Sequence, residues 1–204
     1  MVEELSKIPD VNYYLDLLCK GKTNEFNALR VKSRYQRINL SNANLSGSDL
    51  CNTNLSNANL SGSDLLHANL SYADLSKSNL LGSWLIQVNL SHANLSYAKI
   101  TGTWFTSSDL SHANLSNTNL VTTNLERTNL SYANLTGVKI FNPIPRWRTR
   151  TCINYAILRN ADLTGVKGSN QLKKDLKKIL PRQEFEKYFG KNKFLQIIDR
   201  LFLF

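Results

Sequence analysis

A large apolar residue recurs at every fifth position of this 204-residue chain from Leu40 to Ile140. The 21 positions of the series hold 18 Leu, and the exceptions are Ile100, Phe105 and Ile140. The residue two places earlier is small or β-branched, and the residue between the two is Asn 13 times and Asp four times. A period of five matches neither an α-helix nor a simple strand, so the pattern predicts a different repeating unit.

The order of residues within each unit predicts a short extended segment followed by a corner. Residues two apart in an extended chain point to the same side, so we expect Ala43 and Leu45 to face inward while Asn44 faces outward. Pairs such as Ser41-Asn42 and Ser46-Gly47 suit the corner. Only a closed coil can bury every fifth apolar residue along one axis, so the sequence predicts a solenoid.

A longer period of 20 residues sets the number of sides. Leu81-Gly-Ser-Trp-Leu85 aligns with Thr101-Gly-Thr-Trp-Phe105 one such period later. Twenty residues in units of five make four sides. The predicted fold class is therefore an all-β solenoid, a four-sided parallel β-helix in which residues 20 apart lie above each other.

The repeat pauses after Ile140 and then resumes. Ile153, Leu158 and Leu163 restore the pattern, and the step from Ile140 to Ile153 equals one unit plus eight residues. The excess, residues 143–150, is predicted to form an insertion loop, and the units on both sides of it predict about six coils. The predicted division of the chain is an N-terminal helical cap and lead-in at 1–35, the β-helix at 36–167 and basic C-terminal helices at 168–204.

These units resemble the A(D/N)LXX motif of the pentapeptide-repeat family, closely over residues 36–142 and again over 151–167. The segment Phe26-Asn-Ala-Leu-Arg30, followed by Arg37-Ile-Asn-Leu40, is similar to the N-terminal cap segment common in bacterial and notably cyanobacterial members. The resemblance implies a right-handed quadrilateral β-helix. The chain departs from the family by favouring Asn over Asp at the outward position, which leaves its faces nearly uncharged.

Apolar residues at helical spacing predict short α-helices at both ends of the chain. Val11, Tyr14 and Leu18 mark a helix that ends near Gly21. After Gly168, three helices are predicted from the apolar groups within 172–180, 185–189 and 194–202. They either cap the solenoid, since open ends expose core and strand edges, or also form a homodimer or partner interface, which the apolar end at 201–204 favours.

The net charge of +10 is concentrated at one end. Residues 36–140 hold five bases and five acids, residues 1–35 six bases and five acids, and residues 141–204 fourteen bases and five acids. The C-terminal part includes a basic helix face formed by Lys173, Lys174, Lys177 and Lys178. Such a face is either solvated surface or a means of attraction to nucleic acid or an anionic membrane.

Several classes of protein are disfavoured. Cys19, Cys51 and Cys152 form no CxxC pair, which argues against a disulfide framework or zinc knuckle and suits a reducing compartment. Residues 1–10 lack an apolar signal core, and no run of about 18 apolar residues predicts a membrane span, so we expect a cytoplasmic protein. Nucleotide-binding glycine motifs, HExxH and paired acids in one column are absent from the sequence, so we expect neither enzymatic activity nor a cofactor.

The 20-residue period places Trp84 and Trp104 at the outward middle position of one face, here named the Trp face, one coil apart. Leu66 and Ile86 follow on that face, and two more apolar residues lie at the adjoining corner, Leu81 and Val121. Large apolar groups stand where the core does not require them. We expect a partner-binding patch, and the alternative is an aromatic ladder or contact with a terminal helix.

The insertion is a second candidate site, since it leaves the corner next to the Trp face. Its residues alternate Arg with Trp or Thr: Arg146, Trp147, Arg148 and Arg150. Alternating Arg and Trp suits phosphates and stacked bases. A solvated loop is the simpler interpretation.

A third column holds Tyr72, His92, His112 and Tyr132. Two His about 5 Å apart on stacked strands suit a metal ion or a pH sensor. Because no Cys, Asp or Glu shares the column, we expect a surface stacking ladder and no metal site.

Three functions of different kinds follow from these features. The leading hypothesis is a non-enzymatic scaffold that binds a protein partner through the Trp face and the C-terminal helices. The second is a binder of anionic surfaces, nucleic acid or membrane, through the basic C-terminal third. The third is a DNA mimic that protects topoisomerases, as in quinolone-resistance members of the resembled family, but such mimicry needs an acidic exterior, and this chain supplies the opposite field.

Overall fold

The structure is a computed structural model that describes residues 10–32, 37–140, 156–166, 174, 176–178, 180 and 182–189. Two helices, α1 (Val11–Cys19) and α2 (Thr23–Lys32), precede the solenoid. A third, α3 (Arg182–Phe189), follows it, and residues 174 and 176–178 are also helical. Within the described ranges, no helix has the length and apolar content needed to cross a membrane.

Parallel β-bridges join residues 20 positions apart. The first four link Asn39 to Asn59, Asn44 to Asp64, Asp49 to Asn69 and Asn54 to Asp74, and the pattern then repeats. At each bridge the earlier strand both donates and accepts a backbone hydrogen bond. For example, Leu45 N donates to Asp64 O at 2.8 Å, and Asp64 N donates to Ala43 O at 2.9 Å. Four bridge positions in every 20 residues make a four-sided parallel β-helix, as predicted.

The register continues beyond the insertion with eight extra residues. Asn129 bridges Ile157 and Asn134 bridges Asp162, so the spacing of 20 becomes 28 at this point. The 28-residue spacing is the one that an eight-residue insertion produces. Residues 143–150 themselves and Ile153 lie outside the described residues, and the number of six coils stays a prediction.

The inward apolar residues form one continuous core along the axis. Leu45, Leu85 and Phe105 have no exposed surface, and burying each such side chain contributes about 1.5–3 kcal/mol. The inward Ser and Thr residues are also buried, and most of their hydroxyls are bonded, whereas the Ser78 hydroxyl has no partner among the described residues. Thr53 Oγ1 donates to Leu50 O at 2.6 Å, so polar groups are accommodated inside the column.

The corners are tight turns with one residue in the left-handed region. Ala43 N donates to Leu40 O at 3.2 Å, and Asn42 between them has a φ of 57°. A positive φ at the third residue, with this bond, is characteristic of a type II turn. Asn and Gly adopt such a φ most readily, which explains their frequency at this position.

Outward Asn side chains form ladders between coils. Asn79 Nδ2 donates to Asn59 Oδ1 at 2.9 Å, and Asn59 Nδ2 donates to Asn39 Oδ1 at 2.8 Å. The same Asn59 Oδ1 also accepts a bond of 2.9 Å from the Ser61 hydroxyl. An Asn both donates and accepts, whereas a carboxylate only accepts, and this explains why the chain favours Asn over Asp.

The N-terminal helices close the first coil. Tyr14 and Phe26 are buried and meet edge to face, with ring centroids 5.8 Å apart. Asn27 Nδ2 donates to Asn52 O at 2.9 Å, and Asn27 Oδ1 accepts from Asn54 N at 2.8 Å. The side chain thus occupies the place of a neighbouring strand. Helix α2 lies within residues 1–35, the segment that the sequence predicted to be a helical cap and lead-in.

The C-terminal side of the column is covered by α3. Tyr188 donates its hydroxyl to Ala161 O at 3.1 Å. Leu176 and Leu180 are buried against the core, and Phe185 is partly buried there. The helix predicted at 194–202 and the apolar end at 201–204 lie outside the described residues.

Candidate functional site

The Trp face is one continuous column of bridged residues. Its outward positions are, in order along the axis, Asn44, Asp64, Trp84, Trp104 and Asn124, each bridged to the next. Trp84 and Trp104 are thus neighbours on adjacent coils, as the 20-residue period predicted.

Rigid backbone presents both indoles to solvent. Trp84 is 57% exposed and Trp104 is 49% exposed, whereas the inward neighbours Leu85 and Phe105 are fully buried. Because the core is complete without the indoles, nothing in the packing of the column requires large apolar groups at these two positions.

Other predicted members of the patch surround the indoles. Leu81 is 41% exposed at one corner, and Leu66, Ile86 and Val121 are half-buried. Leu66 and Ile86 occupy the same corner position one coil apart, beside Asp64 and Trp84 respectively. The structure therefore brings together Trp84, Trp104, Leu66 and Ile86 on one side of the solenoid.

The two tryptophans interrupt the ladder of outward side chains. On other faces an Asn one coil above donates to an Asp, as Asn69 Nδ2 does to Asp49 Oδ1 at 2.9 Å. Asp64 has Trp84 above it instead and receives a single side-chain bond, from Leu66 N to Oδ1 at 2.9 Å. Its Oδ2 makes no hydrogen bond to a described residue.

A matching donor lies at the other border of the indole pair. Asn124 stands above Trp104, and its Oδ1 accepts a bond from Glu126 N at 2.9 Å. Its Nδ2 has an indole rather than an amide oxygen beneath it. This pair of border groups was not predicted, although reading the outward positions of the sequence in steps of 20 would have shown both.

The third predicted column is a stack of rings at one corner, here named the ring ladder. Its ring centroids are separated by 4.7 Å between Tyr72 and His92, 4.6 Å between His92 and His112, and 4.8 Å between His112 and Tyr132, with interplanar angles of 2°, 5° and 4°. The predicted stacking ladder is confirmed.

The geometry of the ring ladder does not suit one metal ion shared by the two imidazoles. The lone pairs of His92 and His112 lie in ring planes that are 5° from parallel, and the ring centroids are 4.6 Å apart, so the lone pairs do not converge on a point about 2.0–2.1 Å from both nitrogens. Elsewhere in the described chain, no cluster of three or more His, Cys, Asp or Glu is arranged to hold a metal ion.

The basic candidates are described only in part. Lys174, Lys177 and Lys178 are exposed on the helical residues near the end of the column. The basic loop formed by Arg146, Trp147, Arg148 and Arg150 lies outside the described residues, as does Lys173.

Comparison with protein families gives one match. The family described as pentapeptide repeats matches the chain in eight copies, over residues 38–76, 73–111 and 105–142. No curated protein sequence matches the chain significantly.

Solved structures of pentapeptide-repeat proteins are similar to this chain. HetL, involved in heterocyst differentiation regulation in the cyanobacterium Nostoc sp. strain PCC 7120, is 30% identical, with 68% of this chain and 61% of HetL covered and a TM-score of 0.34. Rfr23 from the cyanobacterium Cyanothece 51142 is 28% identical, with 50% and 60% covered and a TM-score of 0.36. The chain thus spans less than two thirds of the length of either protein.

A further similar structure is that of QnrB1, a plasmid-mediated fluoroquinolone resistance protein. It is 23% identical, with 70% of this chain and 82% of QnrB1 covered and a TM-score of 0.41.

Proposed function

Since the chain belongs to the pentapeptide-repeat family, whose members form right-handed four-sided β-helices, we propose that it is a non-enzymatic scaffold that binds a protein partner through the Trp face. The observation that carries the proposal is the exposure of Trp84 and Trp104, 57% and 49%, on adjacent coils. Exposed tryptophans on a rigid surface are typical of interface hot spots.

The physical case rests on preorganisation. The backbone at Trp84 and Trp104 is fixed by bonds on both sides, such as Trp84 N to Ser63 O at 3.0 Å and Leu85 N to Trp104 O at 2.8 Å. Little backbone entropy is therefore lost when a partner binds. Each indole also offers the exposed half of a large aromatic side chain to a complementary surface.

The test replaces both indoles by the residue most common at this position of the repeat. The Trp84→Asn/Trp104→Asn variant keeps the column, because Asn suits the outward ladder. Tyr97→Asn is the matched control, since Tyr97 is 59% exposed on another corner and Asn tolerates its φ of 59°.

Proteins captured from the native source in about 0.5 M salt, where exposed charge pairs are screened, are identified and the binding of each is then measured with purified material. We expect the double variant to weaken partner binding by about 30-fold or more, as for the loss of one hot spot, and the control to bind normally. An unchanged set of partners in the double variant would exclude the proposal.

A second candidate function is supported by charge. Residues 141–204 carry fourteen bases against five acids, and Lys174 and Lys177 are exposed. Binding to duplex DNA or to anionic vesicles that disappears by about 0.3 M salt and depends on this part of the chain would support it. Residues 36–140 carry five bases and five acids. The column therefore lacks the acidic exterior that a DNA mimic needs.

The proposal includes three finer points. The first is that the column has about six coils, as the number of repeat units in the sequence predicts. The protein works in the cytoplasm, and the C-terminal helices provide a further contact surface, for a partner or for a second copy. Sedimentation analysis of the full chain and of a chain ending at residue 190 tests the contact between copies.

A further inference from the structure

The Trp face contains one carboxylate that lacks the bond its counterparts make. Asp49, Asp74 and Asp109 each accept a bond from the Asn one coil above, at 2.9, 3.2 and 3.0 Å. Asp64 is the remaining outward Asp of residues 36–140, and Trp84 stands in place of that Asn. Each of these bonds ends on Oδ1, so Asp64 Oδ1 accepts one bond, from Leu66 N, where each counterpart Oδ1 accepts two, and the Asp64 carboxylate has spare acceptor capacity at the Trp face.

The charge around the indoles is simple. Among residues 61–67, 81–87 and 101–107, which carry the two indoles and the lower border, Asp64 is the only Asp, Glu, Lys or Arg, whereas the next coil, which carries Val121 and Asn124, adds Glu126 and Arg127. The indoles thus have one negative charge at their lower border, and the opposite charges of Glu126 and Arg127 lie at the upper border. A positively charged group is the complement of this arrangement, because it is attracted both to a carboxylate and to an aromatic face.

These observations give the proposed protein-binding function a defined partner chemistry, which rests on that function. We infer that the Trp face binds a segment of a partner protein that carries an arginine, with the guanidinium against an indole and paired with the Asp64 carboxylate. Arginine fits better than lysine, since its planar, weakly hydrated group stacks on aromatic rings while it donates to a carboxylate.

The spacing of the border groups defines the length of the segment. Asp64 and Asn124 are three coils apart, or about 14 Å at the usual distance between strands. An extended chain of about four or five residues covers this distance. The Asn124 amide is a donor for a backbone carbonyl of that segment, and the apolar side chains of the segment contact Trp104 and Ile86 between the two polar ends.

A displayed random-peptide library tests the inference without knowledge of the partner. The library is selected on the full chain and depleted on the Trp84→Asn/Trp104→Asn variant. We expect recovered peptides to carry an arginine next to apolar residues. The absence of arginine enrichment, or of any peptide that prefers the unmodified chain, would overturn the inference.

A recovered peptide is then synthesised with arginine and with citrulline, a neutral group of nearly the same shape. We expect citrulline to weaken binding by about tenfold, from the loss of the cation–π and charge contacts. Asp64→Asn is expected to weaken the arginine peptide by about fivefold, as for an exposed ion pair, and to leave the citrulline peptide unaffected. Asp74→Asn, on another face, is the control and changes neither.

The outcomes separate the two proposals. Peptides without arginine that bind the unmodified chain and not the tryptophan variant remove the arginine inference but leave the Trp face as a protein-binding surface. Equal affinity of the arginine and citrulline peptides would likewise remove the arginine inference and leave the Trp face as a protein-binding surface. Loss of the captured protein partner in Asp64→Asn as well as in the tryptophan variant would support both.

Discussion

The ring ladder allows the stacking of two exposed imidazoles to be measured directly. His92→Asn removes a ring that stacks on Tyr72 and on His112, at centroid distances of 4.7 and 4.6 Å. Asn is the appropriate replacement because the chain places Asn at equivalent corners, such as Asn52 with a φ of 58°, and His92 has a φ of 60°. The substitution therefore removes the ring without adding backbone strain.

The expected magnitudes follow from counting stacks. His92→Asn loses two stacks of about 0.5–1.5 kcal/mol each, and Asn gains up to about 1 kcal/mol from its easier left-handed conformation. A net loss of about 1 kcal/mol in the free energy of unfolding is expected for each single variant. His92→Asn and His112→Asn each remove two stacks, whereas the double variant removes three. The coupling energy is therefore the value of one stack, about 0.5–1.5 kcal/mol.

The assay is urea unfolding followed by circular dichroism at one fixed pH, on the four proteins of the cycle. The control cycle pairs His92→Asn with Tyr97→Asn, which lies at the next corner of the coil and has no ring contact with the ladder among the described residues. We expect no coupling beyond about 0.3–0.5 kcal/mol in the control. Equal coupling in the two cycles would refute the claim that the rings stabilise one another.

Two further predictions concern the ends of the column. Asn27→Ala loses two bonds to the edge of the first coil and should lower the free energy of unfolding, measured in urea, by about 1–3 kcal/mol. Asn24→Ala, at an exposed position of the same helix, should leave it unchanged. Equal losses in the two variants would count against the edge bonds. Bonds from the hydroxyl and the backbone N–H of Thr164 hold the pKa of Asp162 below its ordinary value of 3.8. The ionised Asp162 carboxylate therefore contributes to stability above pH 3.8, and this contribution is lost as the pH falls through the lower pKa of the folded protein. Asp162→Asn should flatten the acid side of the stability profile, and an unchanged acid limb would contradict this.

The repeat could be predicted closely because its period admits few solutions. Every fifth Leu must reach one axis, and the alignment of Trp84 with Trp104 leaves four sides as the consistent choice. The same logic placed His92 and His112 in one column, where the structure has them stacked. The bridge between Asn129 and Ile157 also agrees with an insertion of eight residues.

The features that were missed depend on contacts between distant parts of the chain. Helix α2 has few apolar residues, and its fully buried Phe26 is buried by packing on the end of the column, which no local pattern reveals. The spare acceptor capacity of Asp64 results from its neighbour one coil above, Trp84. Such a property belongs to the pair and is invisible when either residue is considered alone.

The bridge register also determines how the length of this molecule can change. Each unit of five residues turns the chain by one side, so adding a single unit would rotate everything after it, including α3, by a quarter turn about the axis. Adding 20 residues would move α3 by one coil along the axis and leave its angular position about the axis unchanged. The eight extra residues between Asn129 and Ile157 do not add a side to the coil. The faces of the last coil therefore stay aligned with the faces of the coils before it.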